Sequence, residues 1–179
     1  DFPAEALALP DVGGSMNIYS LETIVSLQPD LVLASEINSP ELVASLEDLG
    51  LTVYLLANPD TLEGIYANIA VIGTLTGHHE EAAALSGSLQ ERFAAVEAAL
   101  TGITERPRVL YELDASDPTA PFVAGGGHFI DLIISLAGGT NLGAELEGEW
   151  PQISLEQVLV MDPDVILLGD FVYGITPQL

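Results

Sequence analysis

The 179-residue sequence contains no cysteine and no lysine. Without cysteine there is no disulfide, no thiolate metal site and no thiol nucleophile, although the compartment stays open. Besides three histidines, its only cationic side chains are Arg92, Arg106 and Arg108. They face 27 acidic residues, for a formal net charge of −24. Phosphate recognition needs a basic surface, so nucleic acid is excluded as a partner. An anionic membrane would repel the chain, whereas a basic protein would be steered toward it. A solubility surface, or adaptation to salt or acid, accounts for the same charge with no partner at all. No apolar run reaches the ~20 residues that span a bilayer. There is no signal segment, and the chain opens at Asp1-Phe2-Pro3 without methionine, a start that says nothing about location. With 49% hydrophobic and 17% charged residues, the composition is that of a folded domain or two small ones.

What is present is a phrase stated twice. Ser20-Leu21-Glu22-Thr23-Ile24-Val25-Ser26-Leu27-Gln28-Pro29-Asp30-Leu31-Val32-Leu33 returns 134 residues later as Ser154-Leu155-Glu156-Gln157-Val158-Leu159-Val160-Met161-Asp162-Pro163-Asp164-Val165-Ile166-Leu167. Ser20 and Ser154 suit helix N-caps. Gln157 completes a capping box, of which Thr23 is a weaker version. Glu22 and Glu156 fall in the first turn, where the helix dipole favours an acid. Positions 21, 24, 25 and 27, and 155, 158, 159 and 161, predict one buried apolar face per helix. Pro29 and Pro163 end the helices. Leu31 to Ala34 and Val165 to Leu168 then read as strands buried on both faces, as in a covered parallel sheet. Any α/β protein contains such units, but the shared Ser-Leu-Glu points to two related lobes.

Elsewhere, 1–19 reads as loop. Ser39-Pro40 opens a helix that stops at Gly50. Val53 to Leu56 is a strand, and a helix follows over about 61–76. The order αβαβα implies a parallel sheet with helical crossovers. From 79 to about 102 runs a long Ala-rich helix striped by Leu85, Leu89, Phe93, Val96 and Leu100. At 1.5 Å per residue it spans on the order of 35 Å, long enough to bridge two lobes. Strands at 108–113 and 121–124 lead through Gly125-Gly126-Gly127 to a helix at 128–137. The expected fold is α/β: two Rossmann-like lobes with parallel sheets joined by one long helix. The expected boundaries are 1–77 for a partial N-terminal lobe, 78–105 for the bridging helix and 106–179 for a partial C-terminal lobe.

These residues resemble the solute-binding proteins of ABC importers for cobalamin, ferric siderophores and heme, the helical-backbone class of periplasmic binding proteins. The segments that carry the resemblance are Asp1 to Ala6, Ser20 to Leu33, Ser39 through Gly50, Ala137-Gly138-Gly139-Thr140-Asn141, and Trp150-Pro151-Gln152-Ile153-Ser154-Leu155-Glu156-Gln157-Val158-Leu159. Relative to the family the chain reads as truncated at both ends. The resemblance implies capture of a metal chelate between the lobes and its delivery to an ABC permease by a monomer, with no catalysis and no intrinsic cofactor. The ligand would be cobalamin, a ferric siderophore or heme. The implied location is periplasmic or extracellular, with a lipid anchor at an absent N-terminus as one form of attachment. In the family each lobe offers a Glu to permease arginines. Those positions match Glu22 and Glu156, and bidentate charge-assisted bonds suit such a contact. Favouring their own helix N-termini is the simpler role for both.

Trp150 matches a family position that stacks on ligand. It is the only tryptophan, and it stands in a Gly- and Glu-rich loop. Phe122 and Gly125 are further candidates, since the glycine run lets a bulky ligand approach the backbone. Ser15, Met16, Asn17 and Tyr19 occupy the first-lobe loop expected to face the cleft. Glu36 follows the first repeat strand, and Asp170, Phe171 and Tyr173 follow the second. His128 adjoins the glycine run and is a candidate contact to ligand or its metal. His78 and His79 adjoin the long helix and read as capping or solvated. No three or four His and carboxylate residues show metal-site spacing, and no Gly-x-Ser-x-Gly elbow exists. A tetrapyrrole- or metal-handling enzyme of chelatase-like fold, and an acidic protein-interaction module, are the alternatives.

Overall fold

The computed structural model describes residues 4–14 and 18–169. Its contacts divide the chain into two compact units, Asp1–Asn58 and Pro59–Leu179.

The first unit opens with a 3-10 turn at Ala4–Ala8 and continues through α1 (Leu21–Ser26), β1 (Val32–Ser35), α2 (Pro40–Asp48) and β2 (Val53–Leu56). The two strands pair in parallel, Val32 with Val53 through Ser35 with Leu56. The α2 crossover makes that direction possible. Ser39 starts α2 by accepting the Leu42 N–H at 3.2 Å, with Pro40 at the first helical position. Among the described residues of this unit, the buried apolar side chains are Ile24, Ala34 and Leu46.

The second unit holds α3 (Leu62–Thr76), α4 (His79–Ala99), β3 (Arg108–Asp114), β4 (Phe122–Val123), α5 (Phe129–Leu136), β5 (Thr140–Asn141), a 3-10 turn at Leu142–Glu145, α6 (Leu155–Met161) and β6 (Val165–Leu168). β3 pairs in parallel with β5 and β6 and antiparallel with β4. The core is Leu110, Val123, Leu142 and Ile153, with Leu146, Val158 and Met161 packed against it. Each such side chain contributes about 1.5–3 kcal/mol when fully buried. In the β3–β4 connection the Ser116 N–H, then its hydroxyl, holds the Asp114 carboxyl below the usual carboxylate range. The Thr119 hydroxyl, then its N–H, does the same for Asp117. Both contacts are therefore kept at neutral pH and lost as pH falls through the carboxylate range.

The doubled phrase folds the same way twice. Ser20 Oγ accepts the Thr23 N–H and Ser154 Oγ accepts the Gln157 N–H, each at 3.2 Å. In the first copy the Thr23 hydroxyl also bonds Ser20 Oγ at 2.7 Å. The residue before each proline is left-handed, Gln28 at φ 50° and Asp162 at φ 46°. Proline bars its predecessor from the right-handed helical region, so both copies leave the helix by the same uncommon route. The second copy is then clamped to β3. The Asp164 carboxylate accepts the Arg108 N–H at 2.7 Å, and the Asp164 N–H donates to the Arg108 carbonyl at 2.9 Å. The Arg108 guanidinium donates to the carbonyls of Met161 and Asp162, capping the end of α6.

Several expectations are corrected. Among the described strands β6 pairs only with β3, and all four of its residues are exposed rather than buried on both faces. On α6 only Val158 and Met161 pack on the core, while Leu159 and Val160 stand 78% and 82% exposed. The apolar stripe of α4 buries no residue, because the helix packs chiefly along α3. β5 carries no sequence signal, because a two-residue strand is too short for any periodicity to reveal.

Candidate functional site

The candidate residues that the structure gathers in one place lie in the second unit. The segment carrying Trp150 runs antiparallel to β4. The Val123 N–H donates to the Pro151 carbonyl at 2.9 Å and the Ile153 N–H to the Pro121 carbonyl at 3.0 Å. A bridge pairs Phe122 with Gln152, whose side-chain amide donates to the Ala120 carbonyl at 2.7 Å. Alternation along β4 buries Val123 in the core and leaves Phe122 38% exposed. Trp150, one residue before this pairing, is 42% exposed.

The Glu149 carbonyl fixes the backbone at Trp150. It accepts the Gly125 N–H at 2.8 Å and lies 3.1 Å from His128 Nε2. His128 is the N-cap of α5, and its Nδ1 accepts the Ile130 N–H at 3.2 Å. An Nδ1 that accepts leaves the proton on Nε2, which donates to Glu149. With both nitrogens engaged by backbone, the imidazole offers a face rather than an edge. That face lies on the Trp150 indole, the ring centroids 4.3 Å apart and the planes inclined by 21°.

The glycine run is also held from within. A Cβ on Gly125 would lie 2.2 Å from the Gly148 carbonyl oxygen, so the close approach there is taken by the protein's own backbone. The buried Asn141 amide donates to the carbonyls of Ala124 and Gly125 at 3.2 and 2.8 Å and to Asp131 Oδ1 at 3.0 Å. Asn141 Oδ1 accepts the Gly143 N–H at 3.1 Å, and Asp131 Oδ2 accepts the Gly127 N–H at 3.0 Å. Asn141 and Asp131 are positioning residues that the sequence reading did not single out. Nothing local to either position signals a bond to the 124–127 segment. At Gly143 an added Cβ would sit 2.0 Å from the Ala124 carbonyl oxygen. Gly143→Ala is therefore expected to destabilise the protein by about 3 kcal/mol or more, in the range of severe core disruptions, read as a lower urea midpoint.

In the first unit, the Tyr19 hydroxyl accepts from the Asn38 side-chain amide at 2.8 Å, and Asn38 Oδ1 accepts the Ser35 N–H at 3.0 Å. Glu36 accepts the Asn58 N–H at 2.7 Å, tying the ends of β1 and β2 together. Both polar groups thus serve the loops that carry them. Glu22 and Glu156 are exposed in the first turns of α1 and α6. Among the described residues every α-helix carries an acid in its first turn and none a base in its last, so it is the repeat, not the position, that sets this pair apart. His78 stands at the start of α4 with its ring on the Thr76 hydroxyl, 3.2 Å away, rather than capping the helix. Ser15, Met16, Asn17, Asp170, Phe171 and Tyr173 lie outside the described residues.

A hollow of about 620 Å³ in the second unit, walled by Leu62, Tyr66, Phe93, Leu100 and Arg106 among others, includes none of the candidate residues. Among the described residues no cluster of three His, Asp or Glu could hold a metal, and no helix is long and apolar enough to cross a membrane.

Comparison with known proteins places this arrangement in context. The profile of the family described as periplasmic binding protein matches residues 2–171. A cobalamin-binding protein of Halobacterium salinarum strain R1 is 34% identical over 160 residues, covering 88% of this chain and 42% of that protein. The crystal structure of the periplasmic vitamin B12 binding protein of Vibrio cholerae superposes with a TM-score of 0.80 at 29% identity, covering 99% of this chain and 68% of that one. The periplasmic heme-binding protein of Roseiflexus sp. RS-1, in apo form, gives a TM-score of 0.81 at 30% identity, covering 93% and 64%. The chain spans about two fifths to three fifths of the length of the curated relatives it matches. All of these similar proteins are described as binding proteins and none as an enzyme.

Proposed function

We propose, because this chain belongs to the periplasmic binding protein family, that it captures a metal-chelate nutrient and delivers it to an ABC permease. Cobalamin is the first candidate and heme or a ferric siderophore the next. The carrying observation is the Trp150 platform: a large flat indole, part-exposed and backed by His128. Corrins and porphyrins present planar, largely apolar faces, and an aromatic plane with a fixed backbone suits them. Phe122, paired with Gln152 two residues further along the same segment, adds a second exposed aromatic. Tyr19 and Glu36, together with Ser15, Met16, Asn17, Asp170, Phe171 and Tyr173, are the further contacts this role would use. Lobes at 1–77 and 106–179, bridged over 78–105, belong to the same proposal, as do a monomeric state and a periplasmic or extracellular location.

Cyanocobalamin, hemin and a ferric siderophore, each mixed with the protein and then separated by gel filtration, provide the test. A visible absorption band travelling with the protein supports the role, and failure of all three to be retained sinks it. Quenching of Trp150 fluorescence by the retained compound reports contact at the platform. Trp150→Ala is expected to weaken that binding about 30-fold or more, the size of an aromatic hot spot. An unchanged affinity would place the ligand elsewhere.

A further inference from the structure

Resting on the binding role proposed above, we infer that His128 is the positioning residue for Trp150, which it acts on by stacking. The ring is immobilised at both ends, since Nδ1 accepts the Ile130 N–H and Nε2 lies 3.1 Å from the Glu149 carbonyl. It therefore cannot rotate without releasing the start of α5 or the residue before the tryptophan. The indole lies on this fixed plate at a centroid distance of 4.3 Å. One face of Trp150 is covered by His128, which leaves the opposite face for a planar ligand. Fixing an aromatic side chain before binding removes the ordering cost that binding would otherwise carry, which is how preorganisation raises affinity.

Two functions of His128 must be separated, because the same side chain also caps α5. Asparagine is among the best N-caps but has no ring; phenylalanine has a ring but cannot cap. If His128 acts through the stack, His128→Asn loses the effect, whereas His128→Phe, which keeps the ring but not the bonds to Ile130 and Glu149, retains part of it. If it acts only as a cap, the order reverses.

The first readout needs no ligand. Trp150 is the only tryptophan, so time-resolved fluorescence anisotropy reports the local motion of this one indole. His128→Asn is expected to add a fast, large-amplitude component absent from the wild type and smaller in His128→Phe. The second readout is affinity for cyanocobalamin and for hemin, each titrated separately. For the compound that the wild type binds, His128→Asn is expected to weaken binding about three- to tenfold, the range set by one newly mobile side chain. His128→Phe should lose less, since it keeps the ring without its two bonds. Wild-type indole motion in His128→Asn, or equal loosening in both variants, would overturn the inference. If neither compound binds the wild type, cobalamin and heme are removed as ligands, while the anisotropy still decides what His128 does.

Discussion

Replacing Glu22 and Glu156 together with alanine is expected to abolish uptake while leaving ligand affinity within about twofold of wild type. The two carboxylates occupy equivalent places in the doubled phrase, one in each compact unit, exposed in the first turns of α1 and α6. Both side chains are exposed, so the ligand is not expected to register their loss. A hydrogen bond to a charged group contributes about 1.5–3 kcal/mol. Two such bonds to permease arginines, the contact that the family resemblance implies, would amount to about 3–6 kcal/mol, or roughly 10²- to 10⁴-fold in docking affinity. Uptake by cells producing the double variant, set beside ligand titration of the purified protein, separates the two effects. Normal uptake would remove the docking role. Loss of ligand affinity would transfer both residues to the binding site. Each single variant should retain part of the activity, since one contact survives.

The second large effect concerns salt. At a net charge of −24 the folded chain repels itself, and compaction concentrates that charge. Arg108 offsets only one of these charges, at the end of α6, where its guanidinium donates to the backbone carbonyls of Met161 and Asp162. The first-turn acids gain from their helix dipoles, but among the described residues no helix carries a base in its own last turn. The Debye length falls from about 10 Å at 0.1 M salt to about 3 Å at 1 M. Raising sodium chloride from 0.05 to 2 M is therefore expected to lift the unfolding midpoint by about 10 °C, corresponding to about 3 kcal/mol for a chain of this size. Thermal scans followed by circular dichroism check it. A sucrose series of equal osmolality serves as the control, since it excludes without screening. A midpoint that moves less than about 2 °C with salt would mean that the acids are spaced widely enough not to matter.

Much of the local structure was legible in the sequence. Ser20, Ser39 and Ser154 act as the caps their chemistry suggests, because a cap depends on a hydroxyl and an N–H three residues away. The Pro-Asp turns were legible for the same reason. Burial was less so. The apolar pattern of α6 and β6 marks residues able to be buried, and among the described residues the chain covers only part of that surface. Periodicity records a preference for burial; what lies opposite decides whether it is met.

Of the candidate site, the sequence by itself determined the parts: one tryptophan, a glycine run, a histidine beside it, and two glutamates repeated at matched places. These follow from residue type and spacing alone. Only the tertiary structure decided that His128 turns a face rather than a nitrogen toward its surroundings. Only there does Gly125 make room for the Gly148 backbone, and only there does Asn141 hold the segment steady. Those relations join residues between 16 and 23 positions apart through backbone carbonyls, which every residue possesses and no side-chain pattern announces. A ring's identity is written in the chain, but what holds that ring in place is a property of the fold.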